Sequence, residues 1–281
     1  MISTAHTSRS ISYNDLETLL SRVPRALKKG AYRSAILNDN VLGKPTMVTR
    51  LRSADVLSKL YELDIFSESF HYFLLLWQHS ESHRELLAML MALHTDSLLS
   101  STADVILNTG VGRDLLKSDL RDALLGKLSD IDSSVTYAES VVESTIRNIA
   151  ASWTQSGHLE GRVRKIRRSV TPTIESVCLA AYLARKDAIA VNSMFTSKYF
   201  RVFDASVTEF RALLRDAYLA ELLEYRESQD VFEVRFPTVD LESQLISQRS
   251  DRYGSQDNGI CDDKANLEYA AFSCGLGASH V

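Results

Sequence analysis

Cysteine, proline and glycine are all scarce in this chain, and each scarcity removes a class of protein. The three cysteines, Cys178, Cys261 and Cys274, are odd in number and widely spaced, which excludes a disulfide framework and a zinc-ligand pattern. Four prolines and 11 glycines in 281 residues leave long uninterrupted stretches, so helices are favoured over a many-stranded sheet. Long apolar runs are missing too. Residues 70–77 and 86–93 are the most apolar, yet His79, Glu81, His83, Arg84 and Glu85 interrupt them. Neither run approaches the ~20 residues that span a bilayer. The first twelve residues are rich in Ser and Thr and have no apolar core, unlike a secretory signal. Together these absences lead to the expectation of a cytoplasmic protein in a reducing compartment, with no membrane partner.

Catalytic signatures are equally lacking. Gly110-Val-Gly112 has neither remaining half of a phosphate-loop or dinucleotide fingerprint. There is no Gly-x-Ser-x-Gly elbow and no Cys/His signature for nucleophilic catalysis. His79 and His83 stand one helical turn apart, but not in the His-Glu-x-x-His order of a zinc protease and without an evident third ligand. The paired carboxylates Asp262 and Asp263 fall in a polar tail. The expectation is a protein that is not an enzyme and needs no cofactor or metal.

What the chain does contain is patterned charge. Its formal net charge is −4, and residues 237–281 carry all of it, with seven acidic against three basic side chains. The remainder is neutral but uneven: residues 1–52 hold nine basic residues against Asp15, Glu17 and Asp39. Arg162, Arg164, Lys165, Arg167 and Arg168 crowd into seven positions, with only Val163 and Ile166 between them. Neutrality with two basic concentrations is compatible with a nucleic-acid partner.

Periodicity gives a mainly α protein of two helical units, with helix-turn-helix and winged-helix character and short β-hairpins. Residues 12–23 read as a first helix and 25–38 as a second, weakened by Gly30. A turn over 38–45 leads to a third from Thr46, with Val48, Leu51, Leu57 and Leu60 inward and Arg50 and Arg52 outward. Helices follow over 67–79, 82–99 and 102–108. Gly110 fits the left-handed position past a helix end, so the first unit is expected at 1–110. The second, 111–237, opens with a helix over 113–128 and continues with a long one over 135–156. That helix turns Ala138, Val142, either Ile146 or Ile149, and Trp153 inward and Ser140, Glu143, Ser144 and Arg147 outward. Gly157 stops it, and residues 158–168 fold as two short strands with Gly161 near the turn. Pro172 takes the first position of the next helix, and Ser206 with Glu209 forms a capping box for another. A second hairpin spans 222–236, with Phe232, Val234 and Phe236 on one face. Residues 238–281 are polar and aperiodic, and are expected to be a poorly ordered acidic tail.

A helix followed directly by a small basic hairpin is how a winged helix meets a phosphate backbone. The candidate DNA contacts are therefore Arg162, Arg164, Lys165, Arg167 and Arg168 on the wing, with Ser140, Ser144 and Arg147 on the helix beside it. Lys44, Arg50 and Arg52 form a second, N-terminal candidate contact. Trp153 reads as a core anchor, and Glu143 opposes direct reading of bases because it repels phosphate. The residues alone leave nucleic-acid binding, a purely structural hairpin and protein docking open.

Three local patterns carry a resemblance. They are Asn38-Asp-Asn-Val-Leu-Gly-Lys-Pro-Thr-Met-Val-Thr-Arg-Leu-Arg52, then Ile149-Ala-Ala-Ser-Trp-Thr-Gln-Ser-Gly-His-Leu159 with the basic loop behind it, and Val231-Phe-Glu-Val-Arg-Phe236. In this order and at this separation, over residues 16–237, the chain resembles the BrxA family of bacterial phage-exclusion (BREX) systems. The resemblance implies a small, helical, non-enzymatic protein with helix-turn-helix or winged-helix elements that binds double-stranded DNA. It also implies work alongside a methyltransferase and an ATPase of the defence island. An inner-membrane location, once suggested for such proteins, conflicts with the lack of a spanning run. A NusB-like comparison drawn for the family keeps RNA as the alternative ligand. A protein-interaction scaffold is the rival reading, with the tail and the face of Phe232, Val234 and Phe236 docking partners.

Overall fold

The computed structural model describes residues 5–26, 28–131, 137–228 and 231–237, which form eleven helices and two short antiparallel hairpins. A 3-10 turn (Ala5–Thr7) precedes α1 (Tyr13–Arg22), α2 (Ala31–Leu37), α3 (Met47–Tyr61), α4 (Glu68–His79), α5 (Arg84–Thr95) and α6 (Ser97–Asn108). Next come α7 (Lys117–Ile131), α8 (Glu139–Gln155), β1 (Leu159–Glu160), β2 (Ile166–Arg167) and α9 (Ile174–Lys186). A second 3-10 segment (Val191–Thr196), α10 (Lys198–Arg201), α11 (Val207–Leu219), β3 (Glu224–Ser228) and β4 (Val231–Arg235) complete the described fold. The acidic tail lies outside the described residues. Among them, no helix is long and apolar enough to cross a membrane.

Caps decide where the helices begin. Thr46 and Thr49 close a reciprocal box at the start of α3, and Ser206 and Glu209 do the same for α11. Each box satisfies orphan N–H groups of a first turn. Gly30 does not weaken a helix running from residue 25. It adopts φ +73 and opens α2, which begins six residues later than expected. The expected helix over 82–99 breaks at Asp96, whose Oδ1 accepts from the N–H of Leu98 and Leu99 at 3.0 Å and starts α6. Pro172 is not a first helical residue: Thr173 is the cap of α9, boxed with Ser176. The left-handed glycine after α6 is Gly112 (φ +80) rather than Gly110.

Two helices are buried nearly all round and so lie at the centre. On α5 every residue from Leu86 to Leu93 is buried, and on α9 so are Val177, Cys178, Leu179, Ala180, Ala181, Leu183 and Ala184. They pack against each other, α5 also touching α3, α4 and α6 and α9 touching α4, α10 and α11. Full burial of each Leu there stabilises the fold by roughly 1.5–3 kcal/mol. Because α5 and α9 come from opposite sides of Gly110, the core runs through that glycine without a break.

Two expected faces are reversed. Val48 and Leu51 are exposed with Met47 on the first turns of α3, while Leu57 and Leu60 are buried as expected. The apolar hairpin face does not look outward. Phe232 and Val234 are buried, Phe232 stacks on Phe195, and Phe236 meets Tyr72 and Tyr182 edge-on. The docking surface expected there is occupied by the protein's own core.

Candidate nucleic-acid interface

The expected helix over 113–128 begins only at Lys117, and the residues before it are extended. Asp114 forms an antiparallel bridge with Ile166. Around it Gly112 N–H donates to Arg167 O (2.8 Å), Arg167 N–H to Arg113 O (2.9 Å) and Leu115 N–H to Lys165 O (2.8 Å). On the other side of β2, Leu159 pairs with Arg167 and Glu160 with Ile166. The sheet order is thus β1, β2, then residues 113–115. With α6 before, and α7 and α8 between, the segment has the connectivity and strand order of a winged helix.

Helix α8 has no internal Gly or Pro, and it is stopped by Gly157 at φ +80. Val142 and Trp153 are buried at helical spacing as expected, Ile146 and Ile149 are both buried rather than one of the two, and Ala138 is its exposed N-cap. A further polar ridge of α8 is covered by the chain's own N-terminal segment. Asn148 Nδ2 donates to His6 O (2.9 Å), Ser152 Oγ accepts from Ile11 N–H (3.0 Å), and Gln155 Oε1 accepts from Tyr13 N–H (3.1 Å). What remains outward is the ridge of Ser140, Ser144, Arg147 and Ala151, together with the wing.

The wing loop, 161–165, is tightly held. Gly161 adopts φ +94, and a Cβ there would run into the Arg164 carbonyl oxygen. Lys165 Nζ donates to Gly161 O (2.6 Å) and to Thr154 Oγ1 (2.9 Å), tying the loop to itself and to α8. Partial burial pushes the Lys165 ammonium below its ordinary pKa. Arg164 forks onto Asp114 and holds that carboxyl below the usual carboxylate range.

Between α8, the first turn of α7 and the wing runs a groove of ≈ 430 Å³. Lys117, Arg147, Arg162, Arg164 and Lys165 line it over an apolar floor of Leu115, Leu120, Ile146, Ala150 and Ala151, with the exposed Val163 at its rim. No carboxylate is among the lining residues. Glu139 and Glu143, at the start of α8, are drawn to α7: Arg121 is bidentate on Glu139 (2.6 Å), and Lys117 and Arg121 both reach Glu143. The repulsion expected of Glu143 is therefore offset by α7.

The candidate residues divide sharply. Arg147 and Arg162 are exposed and have no partner among the described residues. Arg164 is 76% exposed despite its pairing, and Arg168 is exposed beside Glu160 at 3.1 Å. Exposed pairs of this kind are weakly held, so phosphate can exchange for the carboxylate. Arg167 is different and cannot touch a ligand. Its side chain is 2% exposed, with Nη2 bonded to Asp204 at 3.1 and 3.2 Å. It faces inward opposite Leu159 and pins β2 to the chain after α10.

Ser140 is exposed, while the Ser144 hydroxyl donates back to Val141 O (2.9 Å). In the N-terminal set, Lys44 is paired with Asp15 (2.7 Å). Arg50, expected outward, donates to Lys44 O (3.3 Å) and Leu37 O (3.1 Å), fixing the turn between α2 and α3. Only Arg52 of that set is exposed and without a partner among the described residues. Lys117 was not among the sequence candidates; it lies far from the basic run, and only the fold brings it to the groove.

Two other polar groupings invite a chemical reading. His6 Nδ1 lies 3.0 Å from Asp96 Oδ2, and His6 Nε2 lies 2.8 Å from Ser152 Oγ, the order of a base-activated nucleophile. All three are buried, and Ser152 Oγ also contacts Ile11 N and Asn148 O. This hydroxyl acts as a strut between the N-terminal segment and α8. Desolvation opposes ionisation of Asp96, but contacts from His6 and from helix N–H groups outweigh it and lower its pKa. His79 and His83 do not converge; they contact Glu175 and Glu85 respectively. No known protein family matches the chain, and no curated protein matches it.

Proposed function

We propose that this chain is a non-enzymatic accessory protein that binds double-stranded DNA through its phosphates, using α8 and the wing. The observation that carries the reading is the groove between them, lined by five cations of which Arg147 and Arg162 are exposed and unpaired among the described residues, while Lys117 and Arg164 are paired with Glu143 and Asp114. A phosphate strand in that groove would meet Arg147 and Arg162 directly and displace Asp114 from Arg164. Such contacts release counterions and carry no sequence information. Resemblance to the BrxA family adds a setting in phage exclusion, beside a methyltransferase and an ATPase.

Fluorescence anisotropy with a labelled duplex in low salt tests the reading. Arg147→Gln combined with Arg162→Gln should weaken binding at least tenfold, since each contact removed reduces a steeply salt-dependent affinity. Unchanged affinity sinks this surface as the contact, and preference for RNA over duplex DNA in competition sinks the ligand. A scaffold role is favoured by one observation, the exposed patch of Met47, Val48 and Leu51 on α3. It requires protein binding that is lost in Val48→Asp while DNA affinity is retained.

A further inference from the structure

We infer that Lys165 is a nucleophilic amine inside an anion site, where an acyl phosphate acylates it and thereby weakens duplex binding. The effect on duplex binding rests on the DNA-binding reading above; the acylation does not. Lys165 Nζ donates to Gly161 O (2.6 Å) and to Thr154 Oγ1 (2.9 Å). The threonine hydroxyl gives its own proton to Ala150 O (2.8 Å), so towards the lysine it only accepts. An ammonium carries three N–H groups and a neutral amine two. These two uncharged acceptors therefore satisfy the neutral amine in full and leave its lone pair for the groove that Lys165 lines. An ammonium would also share that groove with Arg147 and Arg162, which have no partner among the described residues, and like charge disfavours protonation. Partial burial acts in the same direction and lowers the lysine's pKa. Desolvation and cationic neighbours are what turn a lysine into a nucleophile.

The two free guanidinium groups select the reagent. They can hold a phosphate in the groove beside the amine, and an acyl phosphate bound that way brings its carbonyl carbon next to the phosphate. Nζ adds its lone pair to that carbon and an N–C bond forms. The C–O bond to the phosphate breaks, and its electron pair leaves with inorganic phosphate, which takes the proton lost by nitrogen. The amide product is uncharged and has a single N–H. It removes one cation from the groove and can keep only one of the two ties, to Gly161 or to Thr154.

The full chain is incubated with acetyl phosphate, and acetylation of each lysine is followed by peptide mass spectrometry. Lys165 should react on the order of tenfold faster than the exposed Lys28 and Lys29, because a bound donor reacts in an effectively unimolecular step. Arg147→Gln combined with Arg162→Gln should remove most of that advantage. The same pair should leave Lys165 as reactive as before towards an uncharged donor, N-hydroxysuccinimide acetate. Chain acetylated at Lys165 should bind duplex about tenfold more weakly, the worth of one charged hydrogen bond. If Lys165 reacts no faster than Lys28 and Lys29, the inference is overturned while DNA binding stands. If its advantage with acetyl phosphate survives the double substitution, the anion site is overturned. If Lys165 is acetylated as expected but duplex binding is absent or unchanged, the acylation stands and its effect on duplex binding is overturned; absence in the unmodified chain also overturns the DNA-binding reading.

Discussion

Acid should unfold this protein through one imidazole at the root of the wing. His158 is fully buried between α8 and β1, edge-on to Trp153 at 4.8 Å. Its Nε2 faces Val202 O at 2.9 Å, an acceptor only, so that nitrogen carries the proton. Nδ1 is then bare in the neutral ring and accepts from Ser156 Oγ at 2.9 Å. Burial, with Arg167 nearby as a lesser cause, holds the His158 pKa down at about 4. An unfolded histidine titrates near 6.5. Between those values the unfolded chain binds a proton that the native chain refuses, so stability falls as the pH is lowered. Each pH unit is worth about 1.4 kcal/mol, which gives a loss of about 3 kcal/mol between pH 6.5 and 4. Urea unfolding at pH steps from 8 to 4.5, run beside His158→Gln, isolates this term from the carboxylates. Glutamine keeps a donor for Val202 O but does not titrate, so the wild-type line should fall more steeply below pH 6.5. Parallel lines would refute the reasoning.

Gly161→Ala should displace the wing, because the new Cβ meets the Arg164 carbonyl and φ +94 is strained for alanine; faster hydrogen exchange at the Leu115 and Arg167 amides, without global unfolding, is the expected signature. Asp204→Asn should cost roughly 3–5 kcal/mol by leaving the buried Arg167 guanidinium uncompensated, whereas Arg167→Met should cost less; urea midpoints that reverse this order would contradict the strut. Trp153→Ala should lower stability by about 3–5 kcal/mol through the cavity it leaves, and a loss under 1 kcal/mol by denaturant titration would count against Trp153 as the anchor of α8.

Local signals were legible in the sequence, and distant partners were not. The α8-to-hairpin junction could be read because its stop, its turn and its charges are neighbours: Gly157 and Gly161 both take positive φ, and the basic run fills the loop between two short strands and continues through the second. The third strand was hidden because Leu115, Leu116, Leu120 and Leu124 continue a helical pattern backward, and only pairing with β2 overrides it. Arg167 looked like its basic neighbours, but strand alternation turned it inward to an aspartate 37 residues further along. Nothing in the helical pattern assigned partners to the polar ridge of Asn148, Ser152 and Gln155. Its partners are residues 6–13, over 140 positions away. Arg50 was misread for a related reason, its acceptors being carbonyl oxygens that no composition rule anticipates.

The salt dependence of duplex binding tests the phosphate-binding surface most directly. Plotted as log affinity against log salt, the slope should flatten by about 0.9 for each of Arg147→Gln and Arg162→Gln. It should stay unchanged in Arg167→Met, whose guanidinium is sealed inside. Identical slopes for wild type and both outward variants would remove α8 and the wing as the surface that meets DNA.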